Sequence, residues 1–104
     1  MTGILNFSPA LAEVFAERMR QIDQFGHSPD ADFDAYWNAD DGRTRLAAIG
    51  ARFADGARDH ISVGSLKAAR AYALRAAATN LALIELIDRV TDHTATATDL
   101  GDAA

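Results

Sequence analysis

The chain has 104 residues, enough for one domain. Hydrophobic residues make up 49% and charged residues 24%, which suits a chain that buries a core and excludes a disordered polymer. There is no cysteine, which excludes disulfide scaffolds, thiolate metal sites and cysteine nucleophiles, and a net charge of −5 argues against a nucleic-acid coat.

No apolar run reaches the roughly 18 residues a membrane span needs. The opening MTGILNFSPALAEVF carries no basic leader. The expectation is a cytoplasmic protein whose partners include neither nucleic acid nor membrane. Alanine is the commonest residue, with 23 copies, and it is the best helix former.

Three helices are predicted. The first opens at Ser8-Pro9, a good N-cap followed by a residue suited to the first helical position. Leu11, Phe15, Arg18, Ile22 and Phe25 repeat at 4-3-4-3 spacing, with Val14 and Met19 beside them, so one apolar face interrupted by Arg18 runs to about Phe25. Gly26 is placed to end it, and Ser28-Pro29 prevents a simple continuation. The stretch Asp30 to Asp41 reads DADFDAYWNADD, with five aspartates and no base. Phe33, Tyr36 and Trp37 lie at i, i+3 and i+4, which predicts a short helical turn.

The second helix is expected from Asp40 or Asp41 to about Arg58, with Leu46, Ile49, Phe53 and Ala57 on its inner face and Gly50 beside it. Asp59 to Gly64 connects it to a third and longest helix, capped by Ser65 and running to about Asp92. That helix is alanine-rich in KAARAYALRAAA and apolar almost all round in LALIELIDRV. Such a helix needs cover on more than one side. Residues 1–93 thus read as one all-α, three-helix domain, two shorter helices and a long C-terminal one, completed into a bundle by a homodimer; residues 94–104 read as a flexible polar tail.

Two constellations could carry function. Glu13 and Glu17 share one helix face, as do Glu85 and Asp88. Facing pairs of this kind can hold Mg²⁺ or Mn²⁺, with Glu17, Glu85 and Asp88 as ligands. The alternative is that these are ordinary helix acids paired with Arg18, Arg20 and Arg89. The second constellation is the acidic-aromatic stretch. Asp30, Asp32, Asp34, Tyr36 and Trp37 form either a protein-docking surface or the aromatic closure of one bundle end. His27, His60 and His93 lack the helical i, i+4 pairing of zinc enzymes, and there is no nucleophile elbow and no phosphate loop.

AERMRQIDQFGHSPDADFD resembles the opening of a group of short phage and prophage proteins, and LALIELIDRV resembles that group's closing helix. The matching positions are Glu17, Arg20, Gln21, Gly26, Pro29, Asp32, Glu85, Asp88 and Arg89. The chain departs from the group at Ala31-Asp32-Phe33 and lacks the group's Trp-Pro-Trp segment before the last helix; both departures weigh against catalysis. More distantly, the carboxylate layout is similar to MazG-like nucleotide pyrophosphohydrolases, with Glu85 and Asp88 matching one of their two pairs. The resemblance implies a small accessory protein that binds a host protein, with no cofactor, as an inhibitor of a defence or metabolic component. The alternatives are a Mg-dependent nucleotide pyrophosphohydrolase or nucleotide-binding protein, and a structural oligomerisation module.

Overall fold

A computed structural model describes residues 2–103, with side chains from 9 to 96. Among the described residues there are four helices and no strand: α1 Thr2–Phe25, α2 Pro29–Asn38, α3 Arg45–Ser62 and α4 Leu66–Ala103. The fold is all-α, with one helix more than the periodicity predicts.

The extra helix is α2, and its start is written in the sequence. Ser28 is extended (φ −69°, ψ 158°), and its hydroxyl accepts from the Ala31 N–H at 3.1 Å. Pro29 follows at the first helical position, and Asp30 and Asp32 oppose the positive end of the helix dipole. Ser28-Pro29 therefore ends one helix and starts the next. The same dipeptide at Ser8-Pro9 does not start α1, which begins at Thr2 and carries Pro9 inside it. A single proline removes one backbone bond from the ladder, and no other proline precedes it to stop the helix. The Ser8 side chain lies outside those described.

Two glycines with positive φ close the helix ends. Gly26 (φ 70°) terminates α1 and donates its N–H to the Ile22 carbonyl at 3.0 Å. Gly64 (φ 78°) ends α3: its N–H meets the Ile61 carbonyl, and the Ser65 N–H reaches the His60 carbonyl at 2.9 Å, the paired bonds of a Schellman turn. Helix α3 starts at Arg45, a turn later than Asp40 or Asp41, and ends at Ser62, past Arg58. Residues 40–44 form a turn, with the Thr44 N–H bonded to the Asp41 carbonyl at 3.2 Å.

Helix α4 is the spine. Among the described residues, the backbones of α1, α2 and α3 each approach α4 and none approaches another. The core on α4 is built of small residues: Ala69, Ala76, Ala78 and Ala82, with Leu86 and, from α3, Leu46. Phe33, Tyr36, Leu83 and Val90 pack on the Leu46–Ala82–Leu86 cluster. Alanine allows close helix contact but supplies little apolar area, so the core is thin. No large side chain among the described residues is fully buried. Helix α4 also continues through Ala103, past residue 93 where composition points to a polar tail; the side chains from 97 onward lie outside those described.

Candidate functional site

The acidic-aromatic stretch is divided by its own helix. Asp32 points inward and is 9% exposed, so it forms no part of a docking surface. Asp30 is outside, bonded to Arg89 of α4 at 2.7 Å, and Asp34 is outside, bonded to Asn38 at 2.9 Å. Tyr36 is half-buried against the core, whereas Trp37 is 44% exposed. Trp37 stands edge-on to Phe33 and Tyr36, with ring centroids 6.2 and 4.9 Å away, and His93 joins the group from α4 at 5.5 Å from Phe33 and 5.6 Å from Trp37. The guanidinium of Arg89 lies 4.2 Å over Phe33. These rings form one aromatic group between α2 and α4, and His93 is part of it.

Two of the three carboxylates proposed as metal ligands, Glu17 and Glu85, are taken by arginines. Glu17 accepts from Arg20 at 2.8 Å, and that guanidinium holds its carboxyl below the usual range. Glu85 accepts from Arg18 at 3.3 Å. Glu13 is bonded by Arg70 of α4. Asp88 is exposed. Among the described residues, no three His, Asp or Glu side chains gather as a metal site requires, so Glu17, Glu85 and Asp88 do not assemble one.

The most unusual chemistry is a buried polar group that the sequence reading divided among other roles. Arg18 of α1 is 4% exposed. It donates to the His27 carbonyl at 2.7 Å and to Glu85, and it lies 4.0 Å from Asp32. The imidazole of His27 lies 3.9 Å from the same carboxylate. Asp32 Oδ2 and Arg18 Nε have no hydrogen-bond partner. Burial pushes the Asp32 carboxyl above its ordinary value, and Arg18 and His27 pull it only part of the way back. Beside this group, Gln21 is buried and donates to Thr79 of α4 at 3.3 Å and to the Arg75 carbonyl at 3.4 Å. This cluster joins three helices, α1 through Arg18, α2 through Asp32 and α4 through Glu85. The clue in the sequence was Arg18 itself: an arginine within an apolar stripe must find a buried acceptor.

Among the described side chains of α1, the buried ones are the polar Arg18 and Gln21, Val14 and Ile22 are half-buried, and Leu11, Phe15, Met19 and Phe25 are each about half exposed. Further apolar side chains are exposed on α4 (Leu66, Ile84, Ile87) and near the α3–α4 turn (Ile61, Val63). Between α1 and α3 the missing backbone contact leaves an open cleft of about 200 Å³, walled by Phe25, Leu46, Ile49 and Phe53 and floored by Thr79 and Ala82. No helix among the described residues is long and apolar enough to cross a membrane.

Comparisons of the chain with protein families, with curated proteins and with solved structures return no match. Four positions that carry the phage-protein resemblance have structural tasks here. Gln21, Asp32 and Glu85 belong to the buried polar group and its surroundings, and Gly26 closes α1.

Proposed function

We propose that this chain is a small accessory protein that acts by binding another protein, through an apolar surface centred on α1. One observation carries the reading: the buried residues among the described side chains of α1 are the polar Arg18 and Gln21, whereas Leu11, Phe15 and Met19 are each about half exposed. Full burial of such side chains is worth about 1.5–3 kcal/mol each. A fold that leaves several of them wet, over a core made largely of alanine, gains most from a partner that covers them. The arginine pairing of Glu17 and Glu85 gives catalysis through a bound metal no comparable support.

A second reading keeps the α2 edge as the dock for a host protein, as the phage resemblance implies. It is favoured by Trp37, which is exposed beside the exposed Asp34. Without Asp32 that edge is smaller than the sequence suggests.

A photo-reactive phenylalanine analogue placed at Phe15, at Trp37 and at the exposed control Asp55 tests both readings in cells that make the protein. A light-dependent product from position 15 and none from 55 is expected. A product from 37 alone would move the binding surface to α2, and equal yields at 15 and 55 would overturn the proposal.

A further inference from the structure

Several features compete for a role. The cleft beside Phe25 is apolar, but its one cationic wall residue, Arg20, is already bonded to Glu17 and Gln24. The Arg18–Asp32 cluster is buried and joins helices. The outer face of α1 carries more information, because its charge pattern restricts what can sit on it.

We infer that the occupant of the α1 face is a second copy of this chain, docked about a two-fold axis; this rests on the reading of α1 as the binding surface. The exposed side of α1 holds Leu11, Ala12, Phe15, Ala16 and Met19, at i, i+1, i+4, i+5 and i+8. These five residues make an uncharged stripe across more than two turns. A two-fold contact lays a patch against itself, so any net charge in the patch repels its own image. The chain carries a net −5, and Asp23 to Asp41 hold six acids and no base. That acidic region opposes self-contact, whereas the α1 stripe does not. Of the bordering charges, Glu13 is paired with Arg70 and Glu17 with Arg20, and Asp23 lies one turn beyond Met19. A stripe without charge also offers nothing to select a strongly basic or acidic foreign partner.

The order of side chains fits the same geometry. An antiparallel crossing about an axis between Phe15 and Ala16 sets Phe15 against the second copy's Ala16 and Met19 against its Ala12. Phe15 and Met19 each meet an alanine, which permits close helix approach. The dimensions leave room for this contact. The accessible surface is 7120 Å², against about 5,650 Å² for a compact monomer of this mass. The excess is larger than the roughly 800 Å² per subunit of a standard interface. The radius of gyration is 16.7 Å, against about 13 Å for a compact chain of this length.

Light scattering on the purified full chain at about 50 µM provides the test. The expected mass is twice that of the chain. Phe15→Glu combined with Met19→Glu should give the single-chain mass with an unchanged helical circular dichroism spectrum. Because the chain has no cysteine, Ala16→Cys provides a second test that adds no charge, and it should oxidise to a covalent dimer much faster than the exposed α3 control Ala51→Cys. A single-chain mass for the wild type, a double variant that stays dimeric, or equal oxidation at 16 and 51 would each overturn the inference. If the charged variant fails to fold, the cysteine comparison decides. A monomeric purified chain whose position 15 captures a different protein in cells would end the two-fold contact and leave the binding reading standing; no capture in either setting would end both.

Discussion

Asp32 shows how one residue can be misread when its partners lie far along the chain. Its neighbours in sequence are acidic and exposed, and a local reading gives it the same character. Its neighbours in space are Arg18, fourteen positions earlier, and Glu85, on the spine. Burial raises its pKa above 3.8, so the folded chain holds this proton more tightly than the unfolded chain does. The stability that follows is fully present below pH 3.8 and is lost as pH rises through the raised value. Glu13, Glu17 and Asp41 have carboxyls held below their ordinary values by arginines, so they contribute in the opposite sense. Those contributions are common to wild type and variant and cancel in a difference. Asp32→Asn cannot ionise, and Arg18 keeps Glu85 at 3.3 Å. The stability of wild type minus that of Asp32→Asn should therefore fall as pH rises from 3.8 through the raised value and level off above it. Urea denaturation of both proteins at each pH reads it, and a flat or rising difference would mean that Asp32 is not buried.

The element scale shows which signals were legible. The α4 spine was legible because a long alanine and leucine segment has few alternatives to being a buried helix. Helix α2 was underestimated because its aspartates hid a standard start signal at Ser28-Pro29, while Ser8-Pro9 carried the same signal where helix continued through it. The exposure of Phe15 and Met19 on α1 was legible only through Arg18: the apolar spacing is correct for a core face, and the long-range bonds of Arg18 and Gln21 decide which side meets α4. Glycines within α3 separate the local effect from the long-range one. Ala is favoured over Gly in a helix interior by about 1 kcal/mol. A Cβ at Gly50 would meet the tip of the Asn80 side chain at 2.8 Å, which is exposed and free to rotate away. A Cβ at Gly56 would meet the Tyr72 ring at 2.7 Å, and that ring is stacked on His60 at 5.1 Å and covered by Arg75. The same substitution should have opposite signs one helix turn and a half apart. Gly50→Ala should stabilise by roughly 0.5–1 kcal/mol, and Gly56→Ala should destabilise by about 1–3 kcal/mol. Thermal denaturation of the two variants checks the pair, and stabilisation by both would show that α3 does not sit tightly on α4 at Tyr72.

At the scale of the molecule, three helices depend on one. In the described residues no backbone of α1, α2 or α3 approaches another; each packs its backbone on α4, and the links among the three are made by side chains, Arg18 to Asp32 and Phe33 and Tyr36 onto the cluster that includes Leu46. Stability should then be graded outward from the spine, since amide protection follows the local free energy of opening. The slowest hydrogen exchange is expected in α4 between Ala76 and Leu86, where Ala76, Ala78, Thr79, Ala82 and Leu86 are buried. Helix α3 should come next, because Leu46 and Gly50 are buried along it. Helix α2, at ten residues with only Asp32 buried, should exchange faster than both. Helix α1 provides the informative case. In a single chain its described side chains anchor it through the polar Arg18 and Gln21, with Val14 and Ile22 only half-buried, a contact whose net contribution is modest beside full apolar burial. Its protection should therefore be low in dilute solution. If a second copy covers Leu11, Phe15 and Met19, protection in α1 must rise with protein concentration while that of α3 changes little, because ligation stabilises what it covers by mass action. Exchange followed by mass spectrometry at about 1 and about 100 µM separates the two helices. Protection in α1 that is already as high as in α4 at the lower concentration, and unmoved at the higher, would mean that its polar side alone suffices and that its apolar face has no second copy to wait for.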